Sequence, residues 1–175
     1  MIEIRKLDRE AYAGKPFTLR YETEGYYDIS RNEGGFGIVR RSFDAPKQMS
    51  IDDVFFAPWQ ENAEAFGAFE GERLVGFAEG FPEAWNNRYR IGNICIFEDA
   101  DRGAGTGTML MRAALRAAKD SGARMCVVET QSCNENAIAF YRKNGFEVIG
   151  FDLFAYSNDD PGRHEVRVEM GRALE

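Results

Sequence analysis

A glycine-rich run between a predicted strand and a predicted helix most constrains the fold of this chain. The run DADRGAGTGT, residues 99–108, follows the strand-like segment RYRIGNICIF at 88–97 and precedes an apolar stripe at helical spacing over about residues 106–120. Glycine lets the backbone approach a ligand closely, and the N-terminus of a helix attracts anions. The run therefore predicts either an anion site or a tight turn that holds no ligand.

Two familiar phosphate-binding loops fit this run poorly. A Walker loop needs Lys followed by Ser or Thr directly after its last glycine, but Thr108 and Met109 follow Gly107, and the next lysine is Lys119. A dinucleotide fingerprint spaces its glycines as G-x-G-x-x-G near the start of a βαβ unit. The spacing here is G-x-G-x-G in the middle of the chain. Phosphoryl transfer is therefore disfavoured, and a dinucleotide site has weak support.

The rest of the chain predicts a mixed α/β domain that takes in residues 1–175. Alternating apolar residues indicate strands, and the 3.6-residue period indicates helices. Before the glycine run, the sequence predicts a strand in MIEIRKL, extended or loop-rich residues 8–50 with a short helix, and hairpin strands at 63–69 and 73–81. The strand at 88–97 and the helix at about 106–120 flank the run. After it, the sequence predicts a strand at 123–130, a short helix in NENAIAFYRKNGF, and two closing strands in FEVIGFDLFAYS and HEVRVEMGRAL.

Charge and the rarer residue types narrow the classes of function. The net charge of −7 disfavours nucleic acid as a partner and would attract a cationic substrate. Three widely spaced cysteines and one histidine predict neither a disulfide framework nor a metal site. No apolar run approaches the ~18 residues of a membrane span. We therefore expect no membrane partner and a reducing cytoplasm as the setting.

Two segments resemble motifs of the GCN5-related N-acetyltransferase (GNAT) superfamily. RGAGTG at 102–107 is similar to the signature Arg/Gln-x-x-Gly-x-Gly/Ala, and NENAIAFYRKNGF at 134–146 looks like the later Asn-to-Tyr motif of the family. The resemblance covers roughly residues 63–155. It implies a GNAT-like α/β fold, in which a mixed central β-sheet carries a strand–glycine loop–helix site for acetyl-CoA.

Within the superfamily the chain most resembles streptothricin acetyltransferases. The segments that carry this likeness are WNNRYRIGNICI (85–96), VETQSCNENAIAFYRKNGFEVIG (128–150) and FDLFAYSN (151–158). The subfamily resemblance implies transfer of an acetyl group from acetyl-CoA to a primary amine of a small cationic molecule. Two alternatives stay open, a protein or peptide N-acetyltransferase and a non-catalytic acyl-CoA-binding module. By analogy with many relatives, a homodimer is also left open.

The superfamily resemblance also implies binding roles for particular residues. Ile94, Cys95 and Ile96 would pair with the pantetheine arm of coenzyme A, and the N–H of Ile96 or Phe97 would polarise the thioester carbonyl. Asn134 and Ala137 would line the arm. The pyrophosphate would be held by the backbone N–H groups of Arg102, Gly103, Ala104, Gly105, Thr106, Gly107 and Thr108.

The catalytic groups are predicted less sharply than the binding groups. The resemblance places Tyr141 near the sulfur, where its hydroxyl could protonate the leaving thiolate. Many relatives carry a glutamate on the strand before the glycine loop, but Gly92 and Asn93 occupy the matching positions here. Glu129 and Glu79 are the remaining candidates for a general base, and a water chain without a dedicated base is equally open.

Aromatic and acidic residues could form the amine pocket, because aromatic rings hold cations and carboxylates pair with them. The candidates are Tyr26, Tyr27, Asp28, Trp59 and Trp85.

Overall fold

The computed structural model describes residues 1–97 and 105–174. The predicted phosphate-binding residues Arg102, Gly103 and Ala104 lie outside the described residues. The chain divides into two compact units. The first unit contains residues 1–20, 50–97, 105–128 and 172–174, and the second contains residues 21–49 and 129–171.

Strands predominate over helices in the described chain. In order, the elements are β1 (Ile2–Lys6), α1 (Arg9–Tyr12), β2 (Pro16–Asn32), β3 (Gly35–Val54), β4 (Glu64–Glu70), β5 (Arg73–Glu83), β6 (Arg88–Ile96), α2 (Thr106–Asp120), β7 (Met125–Gln131), α3 (Glu135–Lys143), β8 (Glu147–Asp152), α4 (Asp160–Arg163) and β9 (Arg167–Ala173).

The first unit is built on a mixed sheet with the strand order β1-β4-β5-β6-β7. The pairs β1–β4, β4–β5 and β5–β6 are antiparallel, whereas β6 and β7 are parallel. A parallel pair needs a crossover connection, and the helix α2 supplies it. The predicted α/β class with a mixed sheet and the predicted hairpin β4–β5 are therefore confirmed.

Phenylalanine side chains form the centre of the core on one face of this sheet. The rings of Phe17, Phe55 and Phe77 contact one another, with centroids 4.4–5.0 Å apart. Phe77 is fully buried on β5, and aromatic side chains of this size contribute strongly to core stability. The apolar stripe predicted for α2 is also buried, with Leu110 and Met111 at 0% exposure.

Residues 8–50 are more regular than the sequence predicts. The predicted short helix is α1. Of the two alternatives for the rest, extended structure is confirmed and loop-rich structure is wrong, because β2 and β3 pair as a two-stranded sheet of long strands, 17 and 20 residues. The turn between them follows Asn32, whose side chain accepts the Gly34 N–H at 3.0 Å. Gly35 then takes a positive φ of 132°, which a glycine adopts readily.

The second unit contains α3, α4 and the antiparallel pair β8–β9. The side chain of Asn134 accepts the Ala137 N–H at 3.1 Å, which satisfies one of the free donors at the start of α3. Gly145 follows α3 with a φ of 82°, a common way for helices to end. The predicted helix and the two predicted closing strands are thus confirmed.

Candidate functional site

Strand β6 extends beyond its pairing with β7. The parallel register runs from Arg88 opposite Met125 to Ile91 opposite Val128, whereas β6 continues to Ile96. On its other edge β6 stays paired with β5 as far as Ile96 opposite Gly76. The last residues of β6 are therefore paired with β5 along one edge, and along the other edge the register with β7 has already ended.

The hydrogen bonds at the end of β6 indicate which N–H groups face each edge. The N–H of Phe97 donates to the carbonyl oxygen of Val75 at 3.0 Å. Backbone groups of an antiparallel strand alternate between its two edges, so the N–H groups of Ile94 and Ile96 point away from β5. The family resemblance suggests two N–H donors for the thioester carbonyl. The N–H of Phe97 already donates to β5, whereas the N–H of Ile96 points away from that strand.

A β-bulge at Gly92 precedes this segment. Glu79 of β5 lies opposite Asn93, but the next residue of β5, Gly80, lies opposite Ile91, so Gly92 is the extra residue of β6. A Cβ on Gly92 would lie 2.9 Å from the side-chain nitrogen of Gln60. Glycine at the bulge therefore allows a buried amide to lie against the strand.

The start of α2 carries a second group of backbone donors. Gly105 precedes the helix in the left-handed region, with a φ of 77°, and as a glycine it supplies no side-chain cap. The N–H of Met109 donates to the carbonyl of Gly105, so the earlier N–H groups of Thr106, Gly107 and Thr108 have no acceptor within the helix. Such groups, together with the helix dipole, suit the negative charge of a pyrophosphate.

The second predicted motif lies on α3. Asn134 caps the helix, and Ala137 donates the capping hydrogen bond. Tyr141, at 7% exposure, packs beside the rings of Phe140 and Phe146, with centroid distances of 5.8 and 6.0 Å. The motif thus combines a helix cap with a buried tyrosine whose ring is fixed by aromatic neighbours.

Glu129, a candidate base, is engaged within the second unit. Its Oε2 lies 3.4 Å from Nε of Arg167 in an ion pair, and it also interacts with the hydroxyl of Tyr156. Burial and the nearby Glu129 carboxylate raise the pKa of Tyr156 well above its usual value of 10. Cys133 is buried too, and burial raises the pKa of its thiol. A thiol that is hard to ionise is a poor nucleophile.

A polar cluster lies on one face of β5 and β6 in the first unit. Glu79 is fully buried and accepts the Phe56 N–H at 2.8 Å through Oε2. The side-chain nitrogen of Asn93 donates to Oδ2 of Asp53 at 3.3 Å. Gln60, at 0% exposure, lies beside the bulge. We call Asp53, Gln60, Glu79 and Asn93 the Asp53 cluster.

Two features of the Asp53 cluster bear on proton transfer. Burial raises the pKa of Glu79 above its usual value of 4.5, and the Asp53 charge adds to that rise, although the Phe56 N–H opposes it. Oε1 of Glu79 and both polar atoms of the Gln60 side chain are buried without a hydrogen-bond partner among the described residues. Sequence reasoning named Glu79 but missed Asp53 and Gln60, since only the doubled aspartate in SIDDV marks that segment.

The structure places the candidate amine-pocket residues of the second unit in internal contacts. Tyr26 stacks on the imidazole of His164 at a centroid distance of 3.8 Å. The hydroxyl of Tyr27 accepts a hydrogen bond from Arg142 at 3.1 Å. Asp28 pairs with Arg41 at 2.7 Å. These three side chains therefore have protein partners already.

The two tryptophans of the first unit are exposed. Trp59 is 61% exposed and meets the ring of Phe81 edge to face at 5.5 Å, and Trp85 is 86% exposed. Both indole rings are open to solvent, so Trp59 and Trp85 remain candidates for the amine pocket.

Neither a metal centre nor a membrane span is found in the described part of the chain. No three His, Cys, Asp or Glu side chains in residues 1–97 and 105–174 are arranged to hold a metal ion. In the same residues, no helix has the length and apolar character needed to cross a bilayer.

Comparisons with known proteins show similarity to streptothricin acetyltransferases. Streptothricin acetyltransferase of Streptomyces lavendulae is 29% identical over 161 residues, which cover 86% of this chain and 84% of that protein. Streptothricin acetyltransferase of Escherichia coli is 30% identical over 130 residues, 74% of this chain and 72% of that protein.

A solved structure and a family profile extend this similarity. A Bacillus anthracis protein assigned as a streptothricin acetyltransferase, solved in complex with acetyl coenzyme A, has a TM-score of 0.76 at 21% identity and covers 100% of this chain and 99% of its own. The profile of the acetyltransferase (GNAT) family matches residues 20–146, more than half of the chain. The chain therefore belongs to the GNAT family of acetyltransferases.

Proposed function

We propose that this chain is an acetyl-CoA-dependent N-acetyltransferase that acetylates a primary amine of a small cationic molecule, first of all a streptothricin-type antibiotic. The observation that best supports the activity is the geometry at the end of β6. The N–H groups of Ile94 and Ile96 point away from β5, and both residues lie past the last pair of the β6–β7 register. The similarity to streptothricin acetyltransferases over most of their length supports the acceptor.

The proposed binding roles follow from the backbone donors at the end of β6 and at the start of α2. Thr106, Gly107 and Thr108 at the start of α2 would hold the pyrophosphate of coenzyme A, together with the preceding glycine-rich residues. Ile94 and Ile96 would pair with the pantetheine arm in the manner of a neighbouring strand. A bound acetyl-CoA supplies a thioester whose carbonyl carbon accepts an amine and whose sulfur leaves as a thiolate.

The catalytic roles follow from the charges that develop during acyl transfer. A backbone donor stabilises negative charge on the carbonyl oxygen, and we assign this role to the N–H of Ile96. A buried tyrosine can protonate a leaving thiolate, and we assign that role to Tyr141. An aliphatic amine with a pKa of about 10.4 must lose a proton before it attacks, so a carboxylate or water must accept that proton.

Other properties of the chain agree with this proposal. The net charge of −7 would draw a polycationic antibiotic toward the protein. Cys95, Cys126 and Cys133 form no disulfide among the described residues, which suits the reducing cytoplasm as the setting. The family profile includes residues of both compact units, which supports one acetyltransferase domain over residues 1–175.

The test is a coupled assay of thiol release from acetyl-CoA with streptothricin, aminoglycosides, polyamines and free amino acids as acceptors. We expect streptothricin to give the highest kcat/KM and mass spectrometry to show one added acetyl group on the antibiotic. Coenzyme A binding by calorimetry without turnover on any acceptor would instead indicate a binding module. Turnover restricted to peptides would indicate a protein acetyltransferase.

A further inference from the structure

The proposed reaction requires a group that accepts the amine proton, and Gly92 and Asn93 occupy the strand position where the family resemblance suggests a glutamate. Three carboxylates come into question, Glu79, Glu129 and Asp53. Each can be judged by its burial and its existing partners, because a base must be ionised and must retain a lone pair that a substrate can reach.

Two of the three carboxylates suit the role poorly. Glu79 is fully buried, and its carboxyl already accepts the Phe56 N–H. At 0% exposure, neither of its oxygens is open to the amine of an acceptor. Glu129 is held by the guanidinium of Arg167 at 3.4 Å, and transfer of a proton to it would break that ion pair.

Asp53 differs from both in its exposure and its position. It ends β3, is half-buried, and accepts hydrogen bonds from the Asn93 side chain at 3.3 Å and from the Val54 N–H at 2.8 Å. Each of its oxygens retains a further lone pair. Asn93 directly precedes Ile94, the first residue of the segment assigned to the pantetheine arm. Asp53 thus brings a carboxylate to the strand position that lacks one.

The unpaired atoms beside Asn93 are an independent observation at the same place. Oε1 of Glu79 and the amide of Gln60 are buried and find no hydrogen-bond partner among the described residues. Buried polar atoms without partners are costly, and folded proteins keep such groups mainly where they serve a function. The cluster beside Asn93 therefore has the character of a functional site more than that of an apolar core.

We infer that Asp53 is the general base of this enzyme and that Asn93 holds its carboxylate beside β6. The inference rests on the proposed function, because it needs an amine acceptor. The ammonium group of the acceptor gives its proton to Asp53, and the nitrogen lone pair then forms the bond to the acetyl carbon. The C–S bond breaks, and its electron pair leaves with sulfur. The nitrogen loses its second proton as the amide forms, which balances the proton that the thiolate gains, and Asp53 releases its own proton to water.

The main test is the variant Asp53→Asn. This change removes the charge but keeps an oxygen that can accept from Asn93. We expect kcat/KM for streptothricin, or for the best of spermidine and lysine, to fall about 100-fold or more, the range for loss of a general base. The KM for acetyl-CoA and the dissociation constant of coenzyme A should stay within about twofold. Asp53→Glu should recover part of the loss.

The matched control is Asp52→Asn. Asp52 is exposed, carries the same charge one residue earlier, and accepts a hydrogen bond from Thr18 at 2.7 Å. We expect this variant to keep the wild-type kcat/KM. A swapped variant, Asp53→Asn with Asn93→Asp, exchanges carboxylate and amide across one hydrogen bond and should regain turnover relative to Asp53→Asn alone.

The outcomes separate the inference from the proposed function. A kcat/KM of Asp53→Asn within about fivefold of the wild-type value overturns the role of Asp53, and so does a larger loss of kcat/KM for Glu129→Gln. Neither result contradicts the proposed acetyltransferase function. If Asp53→Asn fails to fold, the swapped variant decides, since no turnover from a folded swapped protein overturns the inference. A wild-type protein that acetylates none of the amines overturns the proposed function and the inference together.

Discussion

The side-chain nitrogen of Asn93 lies 3.3 Å from Oδ2 of Asp53, so one hydrogen bond joins β6 to the end of β3. On β6 this bond lies next to the bulge at Gly92 and opposite Glu79. The position of the strand end is thus fixed by polar contacts as well as by the apolar core.

Replacement of Gly76 by alanine should displace the end of β6. A Cβ at residue 76 would lie 2.6 Å from the carbonyl oxygen of Cys95 and 3.1 Å from Cα of Ile96, and backbone atoms cannot rotate away as a side chain can. We expect Gly76→Ala to lower the free energy of unfolding by about 1–3 kcal/mol, as overpacking does, and to raise the KM for acetyl-CoA.

Urea unfolding and steady-state kinetics measure the two effects of Gly76→Ala. The matched control is Gly150→Ala, because nothing lies within 4 Å of a Cβ at that position. The control should leave stability and KM unchanged. Equal stability for the two variants would mean that the close approach of β5 to β6 at Gly76 does not constrain the strand.

Ionisation of Glu79 should make the stability of the chain depend on pH. Burial raises its pKa above 4.5 in the folded state, so the folded protein binds this proton more tightly than the unfolded chain does. The resulting stabilisation is full below pH ~4.5 and is lost as the pH rises through the folded-state pKa. Since glutamine does not ionise, the stability of wild type relative to Glu79→Gln should fall with rising pH.

Urea titrations of both proteins between about pH 4 and 9 test this dependence, with Glu61→Gln as the control because Glu61 is exposed. The difference between wild type and the control variant should change little over the same range. A constant difference between wild type and Glu79→Gln would show that Glu79 ionises in the folded protein as readily as in the unfolded chain.

The sequence allowed prediction of the elements whose signals are local. The apolar stripe of α2 predicts a helix at 106–120, which the structure gives as Thr106–Asp120, and Asn134 with Gly145 marks the ends of α3. A capping side chain, a left-handed glycine and a 3.6-residue period act within a few residues, so they can be recognised without knowledge of the fold.

The long hairpin and the Asp53 cluster could not be predicted in the same way. Most residues of β3 are exposed, including Phe36 and Val39, so burial imposes no alternation of apolar and polar residues. Asp53 and Asn93 are separated by 40 positions, and their hydrogen bond exists only because of tertiary packing. Neither residue belongs to a motif with fixed spacing, so the sequence offered Glu79 and Glu129 in place of the missing glutamate and did not point to Asp53.

Loss of the cap at Asn134 should destabilise α3. Its side chain accepts the Ala137 N–H at 3.1 Å, and alanine cannot replace that acceptor. We expect Asn134→Ala to lower the free energy of unfolding by about 1 kcal/mol, whereas Asn134→Ser, which retains a capping oxygen, should cost much less. Urea unfolding of the three proteins measures the difference. A similar cost for both variants would assign the effect of Asn134 to something other than helix capping.

Removal of the Tyr141 hydroxyl should slow turnover without loss of packing. Phenylalanine at this position keeps the contacts with the rings of Phe140 and Phe146. If Tyr141 protonates the leaving thiolate, kcat for Tyr141→Phe should fall about 100-fold, and the KM for acetyl-CoA should change little. Steady-state kinetics at several pH values give both constants. An unchanged kcat at every pH would remove Tyr141 as the acid.

The imidazole of His164 should titrate below its usual pKa of 6.5. Burial lowers this pKa, the positive charge of Lys47 lowers it further, and the negative charge of Asp28 opposes both effects. The ring stacks on Tyr26 at a centroid distance of 3.8 Å, which keeps water from one of its faces. Because the folded state disfavours the imidazolium ion, the contribution of neutral His164 to the free energy of unfolding should be complete above pH ~6.5. That contribution should be lost as the pH drops through the folded-state pKa.

His164 is the only histidine of the chain, so its proton NMR signals can be followed without assignment. Lys47→Ala should raise the titration midpoint, because it removes a positive charge that disfavours the imidazolium ion, and Asp28→Asn should lower it. Tyr26→Leu, which removes the stacked ring, should also raise the midpoint by admitting water. A midpoint at or above 6.5 in the wild-type protein would contradict the burial of this ring, and opposite shifts in the two charge variants would contradict their assigned effects.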